Sequence, residues 1–312
     1  YASFDLDWWA DFGNCSILEI DFADPLLGAV VDAMSPSFLR IGGSEDNVVK
    51  YQVGGMTPAE CAAPTPFRGH PVSLCLTMDR WDAVNSFAIA HGLKIVFGVS
   101  FFKAVDGSWN SSNVEDFLAY TADKAYPLYG IELGEEMAPS GSGYDPLIAA
   151  YGKLREVVDH LWPQASQRPL IMGPCDGMAN EFPASSGFAW MERFIKDALG
   201  GSSPLVDVVV MHSYNNDGGW PEPGFLNQTL VQATAMLGLV RKYNSSTPLW
   251  CGECGPHNHS GLQNITDRIV SSYWYVDALG RLAALGLQQV WKVHSVPRHP
   301  PLILHPTPSP RP

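Results

Sequence analysis

Two glutamates stand where a carboxylate could act on a substrate. Glu136 closes the run 129–136 (YGIELGEE) and Glu253 closes 248–253 (PLWCGE); in both, an apolar stretch gives way to Gly and then to acid. Cleavage of a glycosidic bond requires such a pair: one carboxyl protonates the leaving oxygen, and the other attacks the anomeric carbon or activates water. One such Glu is more often a helix cap or a solvated loop charge, and the recurrence of the pattern is what favours chemistry. The chain around Glu253 also spells Cys251-Gly-Glu-Cys254-Gly-Pro-His257-Asn-His259, a set of residue types that could ligate zinc. Only one Cys-x-x-Cys occurs and both histidines share its short loop, so the spacing is not that of a standard zinc site. No clear helix start follows that would activate a redox thiol. A structural pair or two separate buried thiols is the better reading, and no cofactor or metal is expected.

For Glu136 and Glu253 to work together, the fold must bring residues 117 positions apart to one face. Eight short β-rich apolar runs alternate with amphipathic stretches, the pattern of βα units around a parallel sheet. The runs are 4–9, 38–43, 93–99, 129–136, 169–174, 206–214, 248–253 and 287–293. Helical patterns fall at 25–34, 79–92, 113–125, 146–162, 188–200, 226–243 and 265–286, with cap-like Asp79 and Asn113 at starts and Gly92 and Gly200 at ends. Eight strands joined by seven helices predict an α/β protein, a closed (β/α)8 barrel over residues 1–293. The separation of the two glutamates matches three βα units and places them on the fourth and seventh strands. In such a barrel the functional groups gather where strands end. Those ends read Arg40-Ile-Gly42-Gly43, Gly134-Glu135-Glu136, His212-Ser-Tyr214-Asn215 and Gly252-Glu253. Gly42 and Gly43 suit a tight turn as well as a ligand-lining role, and no phosphate-cradling glycine motif is present to support nucleotide binding.

The chain has 312 residues and a net charge of −13. At roughly 150 residues per domain this allows two domains, but a barrel forms a single larger one. The acidic balance and a pI near 5.0 argue against nucleic acid, which a surface needs clustered Lys and Arg to track. No run of about 18 apolar residues encodes a transmembrane helix. Six of the twelve Asn residues (Asn14, Asn110, Asn227, Asn244, Asn258 and Asn264) begin Asn-x-Ser/Thr acceptors, which points to the secretory pathway and an extracellular, lysosomal or vacuolar destination. Cys61 and Cys75 bracket a Pro/Gly-rich loop and are expected to staple it. Trp8, Trp9, Trp109, Tyr214, Trp220 and Trp250 could stack on sugar or fill the core. Met172, Met191 and Met236 fall at core spacing. From His294 the composition changes: seven prolines in nineteen residues make 294–312 an extended tail.

Across about residues 1–290 the sequence resembles the family 79 glycoside hydrolases, the heparanase and heparanase-like group, and is most similar to its plant β-glucuronidases. The matching stretches are FDLDWW, LRIGGSEDNVVKY, CLTMDRWDAVNSF, KIVFGV followed by GSWN, IELGEEM followed by SGSG, VVVMHSYN, LWCGECG and SYWYVDALG. The resemblance implies a retaining exo-β-glucuronidase acting on glucuronides or glycan ends. Glu136 would be its acid/base and Glu253 its nucleophile, with His212 and Tyr214 beside the nucleophile. Asp7, Gly42, Gly43 and Glu135 would then line the sugar. Two departures stand out. Family members carry Asn where this chain has Glu135, and they continue past the eighth strand with a uronate-binding loop and a β-sandwich where this chain has its proline tail. The alternative these departures imply is a catalytically weakened, carbohydrate-binding barrel.

Overall fold

The computed structural model describes residues 2–8, 16–138, 144–177, 186–215, 224, 227–257 and 261–292. Trp9, Asn14, Trp220, Asn258, His259 and the expected tail at 294–312 lie outside them. Eight parallel strands close into one barrel: β1 (Ala2–Asp7), β2 (Phe38–Gly42), β3 (Lys94–Val99), β4 (Leu128–Leu133), β5 (Leu170–Gly177), β6 (Val208–Tyr214), β7 (Leu249–Gly255) and β8 (Val290–Lys292), the last pairing back with β1. Each overlaps its expected run. The seven joining helices are α1 (Pro25–Met34), α2 (Met78–Ala90), α3 (Ser112–Asp123), α4 (Tyr144–Leu161), α5 (Ser186–Leu199), α6 (Gln228–Tyr243) and α7 (Val270–Leu285). None of the described helices is long and apolar enough to cross a membrane.

The strands read as near-continuous apolar runs because both of their faces are covered, by helices outside and by packed side chains within. β7 is buried at every residue. The outer core centres on aromatic edges and faces, with Trp81 and Phe97 ring centres 4.8 Å apart and Phe97 and Phe117 5.1 Å apart. Helices reach this layer with one stripe; α2 buries Trp81, Val84, Asn85 and Ala88, positions one helical turn apart. Met191 and Met236 are fully buried in the same layer. Val96, Met172, Val208, Val210 and Trp250 form a second apolar cluster. They come from four strands, and only the barrel lumen can bring them together. The lumen is therefore plugged below, with Trp250 stacked on Tyr129 at 6.2 Å. Trp8, Trp109 and Trp250 are at most 9% exposed, so they are core residues and present no face to a sugar.

Three helix starts differ from expectation. Thr77, not Asp79, caps α2, its hydroxyl accepting from the Arg80 backbone at 3.2 Å. Ser111 precedes α3, while Asn113 instead pairs edge-on with the Tyr51 backbone at 2.8 and 2.9 Å. α7 begins at Val270 rather than 265, because the Thr266 hydroxyl closes a turn on Leu262 at 2.7 Å.

One excursion the periodicity does not show separates β2 from α2. It holds a 3₁₀ turn (Ser44–Val48), a two-strand pair (Lys50–Gln52 with Cys75–Thr77), a short helix (Pro58–Ala62) and a hairpin (Thr65–Phe67 with His70–Val72). The expected Cys61–Cys75 disulfide staples it, with Cα atoms 5.3 Å apart.

Candidate active site

Above the apolar plug the lumen turns charged. Arg40, fully buried on β2, spends its guanidinium on four carboxylates: Nε to Glu132 at 2.7 Å, Nη1 to Asp5 and Glu253 at 3.0 Å each, and Nη2 to Glu135 at 2.9 Å. These come from β1, β4, the β4 loop and β7, so one side chain ties opposite walls together. The planar fork of Arg suits this and a Lys would not. Burial works against the Arg40 charge, but the four surrounding carboxylates hold it protonated well above its ordinary range. Gly42 makes room for it. A Cβ there would lie 2.7 Å from the guanidinium carbon. Gly43 has φ +112, and a Cβ would meet Asp7 Oδ1 at 2.4 Å. Both glycines are thus accounted for by the close approach of charged side chains.

Two irregularities aim the chemistry. Along β6 and β7, Met211 faces Cys251 and the next residue, His212, faces Glu253. Gly252 is the extra residue, and the bulge sets Glu253 beside His212. A Cβ at 252 would strike Val210 at 2.4 Å. On β5 the skipped residue is Cys175, with φ +55. Its carbonyl accepts from the Glu136 backbone at 3.0 Å, and Glu136 itself has φ +50. The Asn47 side chain clamps the preceding residue, accepting from Glu135 N at 3.0 Å and donating to Glu135 O at 2.9 Å.

The result is a carboxylate pair across one imidazole. His212 Nδ1 lies 3.3 Å from Glu136 Oε1 and 3.8 Å from Glu253 Oε2, so those two oxygens are no farther apart than the sum of these distances. The surroundings of the pair differ. The Glu136 side chain is 32% exposed and is met from the rim by the Ser44 hydroxyl at 3.2 Å and Arg68 at 3.8 Å. The Glu253 side chain is 9% exposed and accepts from Arg40 and, at 2.5 Å, from the Tyr214 hydroxyl. Burial opposes ionisation of Glu253, but the charges of His212 and Arg40 and the hydrogen bond from Tyr214 outweigh it and hold the carboxyl down at about 2. The opposite holds for Glu135, where burial and the neighbouring Glu253 push the carboxyl well up in spite of Arg40. Burial also raises Asp5 to about 7. A lumen with one guanidinium among so many acids thus keeps part of them neutral.

Of the residues the resemblance places at the site, Glu135, Glu136, Tyr214 and Glu253 are linked through His212 and one another, and Asp7, Gly42 and Gly43 lie along the β1–β2 edge. Cys251 and Cys254 are joined as a disulfide on β7, the structural pair among the readings of that motif. Sequence reasoning placed Arg40 at a strand end without giving it a role, and passed over Asp5, Glu132, Asn47, Ser44 and Arg68. The first three carried a signal, a charged residue inside an apolar strand at a position facing the lumen.

This is the architecture of a barrel glycosidase, and residues 2–280 match the family model "Glycosyl hydrolase family 79, N-terminal domain". The chain belongs to that family. It is 30% identical to heparanase-like protein 1 of Arabidopsis thaliana over 89% of this chain and 55% of that one, and 24% identical to baicalin-beta-D-glucuronidase of Scutellaria baicalensis over 91% and 60%. The chain spans a little over half the length of these curated relatives. Among solved structures it resembles a GH39 enzyme from Xanthomonas axonopodis pv. citri (TM-score 0.61, 13% identity, 94% of this chain and 58% of that one). A monomeric beta-xylosidase from Caulobacter crescentus matches similarly (0.61, 16%, 93% and 59%). At these identities the likeness speaks for the fold.

Proposed function

We propose that this chain is a retaining β-glucuronidase, with Glu253 as nucleophile and Glu136 as general acid/base. The observation that carries the reading is the opposed pair of carboxylates at the ends of β4 and β7, held together across His212 in unlike surroundings. Glu253, ionised and fixed by Arg40 and Tyr214, attacks the anomeric carbon. Glu136, open to the rim, delivers a proton to the departing oxygen. In the second step Glu136 takes a proton from water, whose oxygen displaces Glu253 from the sugar. The short His212 distances keep the two carboxyls compatible with the separation of about 5–5.5 Å of retaining enzymes and below most of the roughly 6.5–9.5 Å range of inverting ones.

Specificity for an acid sugar is supported by the glucuronidase among the relatives and by Arg68. That side chain is 59% exposed beside Glu136, a cation within reach of a uronate carboxylate. Hydrolysis of an aryl β-glucuronide, beside the aryl β-glucoside and β-xyloside and a Glu253→Gln control, tests this. Glucuronide turnover that vanishes in the control is expected; folded protein inactive on all three refutes it.

We further propose export through the secretory pathway, supported by exposed acceptors at Asn110 and Asn264 and by the Cys61–Cys75 cross-link. A mobility shift on enzymatic deglycosylation of the native protein checks it.

A further inference from the structure

Two buried atoms beside the carboxylate pair have no hydrogen-bond partner. Glu135 Oε1 and His212 Nε2 are both unpartnered, in residues 2% and 1% exposed, and they face each other at 3.4 Å. A buried polar atom left unpaired is destabilising by about 1–3 kcal/mol, so two of them in contact call for an explanation. Acids predominate around them. Arg40 is shared among Asp5, Glu132, Glu135 and Glu253, and both carboxylate oxygens of buried Asp46 are unpartnered as well.

We propose that Glu135, His212 and Glu253 form a binding site for a divalent cation of the zinc class, held by Glu135 Oε1, His212 Nε2 and a carboxylate oxygen of Glu253. Ligand atoms of the three residues all lie within 4.8 Å of one another. Zinc–nitrogen and zinc–oxygen bonds of about 2.0–2.1 Å meeting at a tetrahedral angle separate their ends by roughly 3.3–3.4 Å, the spacing seen between Nε2 and Oε1. A direct N–H···O hydrogen bond centres nearer about 2.9–3.0 Å. An imidazole among carboxylates suits zinc and its neighbours, whereas magnesium and calcium favour all-oxygen sets.

The supports that orient metal ligands are also in place. Arg40 holds Glu135 Oε2 and Glu253 Oε1, Asn47 fixes the Glu135 backbone, and Glu136 faces His212 Nδ1. Three protein ligands beside a cleft leave a fourth position for water. The Arg40 charge repels a cation, but four carboxyl groups crowd about that one charge, and a bound cation displaces the protons they carry. Occupancy would engage Glu253, so a bound cation and a bound sugar exclude one another. The site itself stands whether or not the chain hydrolyses glycosides.

The test uses the full chain stripped with EDTA, titrated with Zn²⁺ by calorimetry and with Co²⁺ by visible absorption. One ion per chain is expected, with the absorption of four-coordinate cobalt. Glu135→Asn and His212→Gln should each weaken binding at least tenfold, and Cys175→Ser, altering the nearby Glu132–Glu135–Cys175 group, should not. Should either ligand variant fail to fold by circular dichroism, Glu135→Gln keeps the shape and reads the same loss. Absence of saturable binding, binding unchanged on replacing Glu135, or binding lost with Cys175→Ser would overturn the site.

Discussion

The Tyr214 hydroxyl donates to Glu253 Oε2 at 2.5 Å, across the seam between β6 and β7. Together with Arg40 on Oε1, it occupies both oxygens of the proposed nucleophile and fixes its plane. A hydrogen bond to a charged group contributes about 1.5–3 kcal/mol. Tyr214→Phe should therefore lower kcat/KM by about 10- to 100-fold while leaving the thermal midpoint nearly unchanged. Unaltered kinetics would mean that Arg40 alone orients Glu253.

The two carboxylates should separate by leaving group. Glu253→Gln removes the attacking oxygen and abolishes turnover of every substrate. Glu136→Gln removes only proton delivery, so a nitrophenyl glucuronide should suffer far less than an alkyl glucuronide. Equal losses on both substrates would reverse or cancel the assigned roles.

Arg40 should matter to stability beyond any single ion pair. Removing one partner from a buried charge network destabilises by about 3–5 kcal/mol, and here four carboxylates lose their cation. Arg40→Met should lower Tm by on the order of 10 °C, at roughly 2–4 °C per kcal/mol in a chain of this size. Gly42→Ala, which drives a methyl into the same guanidinium, should act in the same direction with a loss of about 1–3 kcal/mol. Thermal denaturation of the two variants beside the parent reads both effects.

Stability should fall as pH rises through the neutral range. Asp5 and Asp176 are each raised to about 7, in both cases chiefly by burial. An acid whose pKa is higher in the folded state binds more protons folded than unfolded. Its contribution is full below the unfolded value of 3.8 and is lost progressively up to the folded one. Tm should therefore be several degrees higher at pH 5 than at pH 8, and Asp5→Asn should flatten that slope. A Tm that rises over this interval would refute the protonated state of these groups.

The barrel was legible because its strands carry unbroken apolar runs and its helices a single buried stripe, both local signals. Glu136 and Glu253 were legible for the same reason, since each sits where a run ends. Arg40 was not, although it stands in plain view inside FLRIG, because its meaning lies in partners 35, 92, 95 and 213 residues away. The bulges at Gly252 and Cys175 escaped for a related reason. An inserted residue in a strand changes which side chains face each other without altering the composition of the run. The excursion between β2 and α2 is built from three-residue strands, too short for a period of two to register.

That excursion has its own consequence. Its base is held by the Lys50–Gln52 and Cys75–Thr77 pairing and by the Cys61–Cys75 bond, while Ser44 and Arg68 reach from it to Glu136. Arg68, the cation offered to a uronate carboxylate, thus rides on a cross-linked cassette between β2 and α2. Residues 65–72 could be exchanged for another hairpin with the β-strand scaffold untouched, so that preference for an acid sugar becomes a graftable property, separable from the bond-breaking apparatus beneath it.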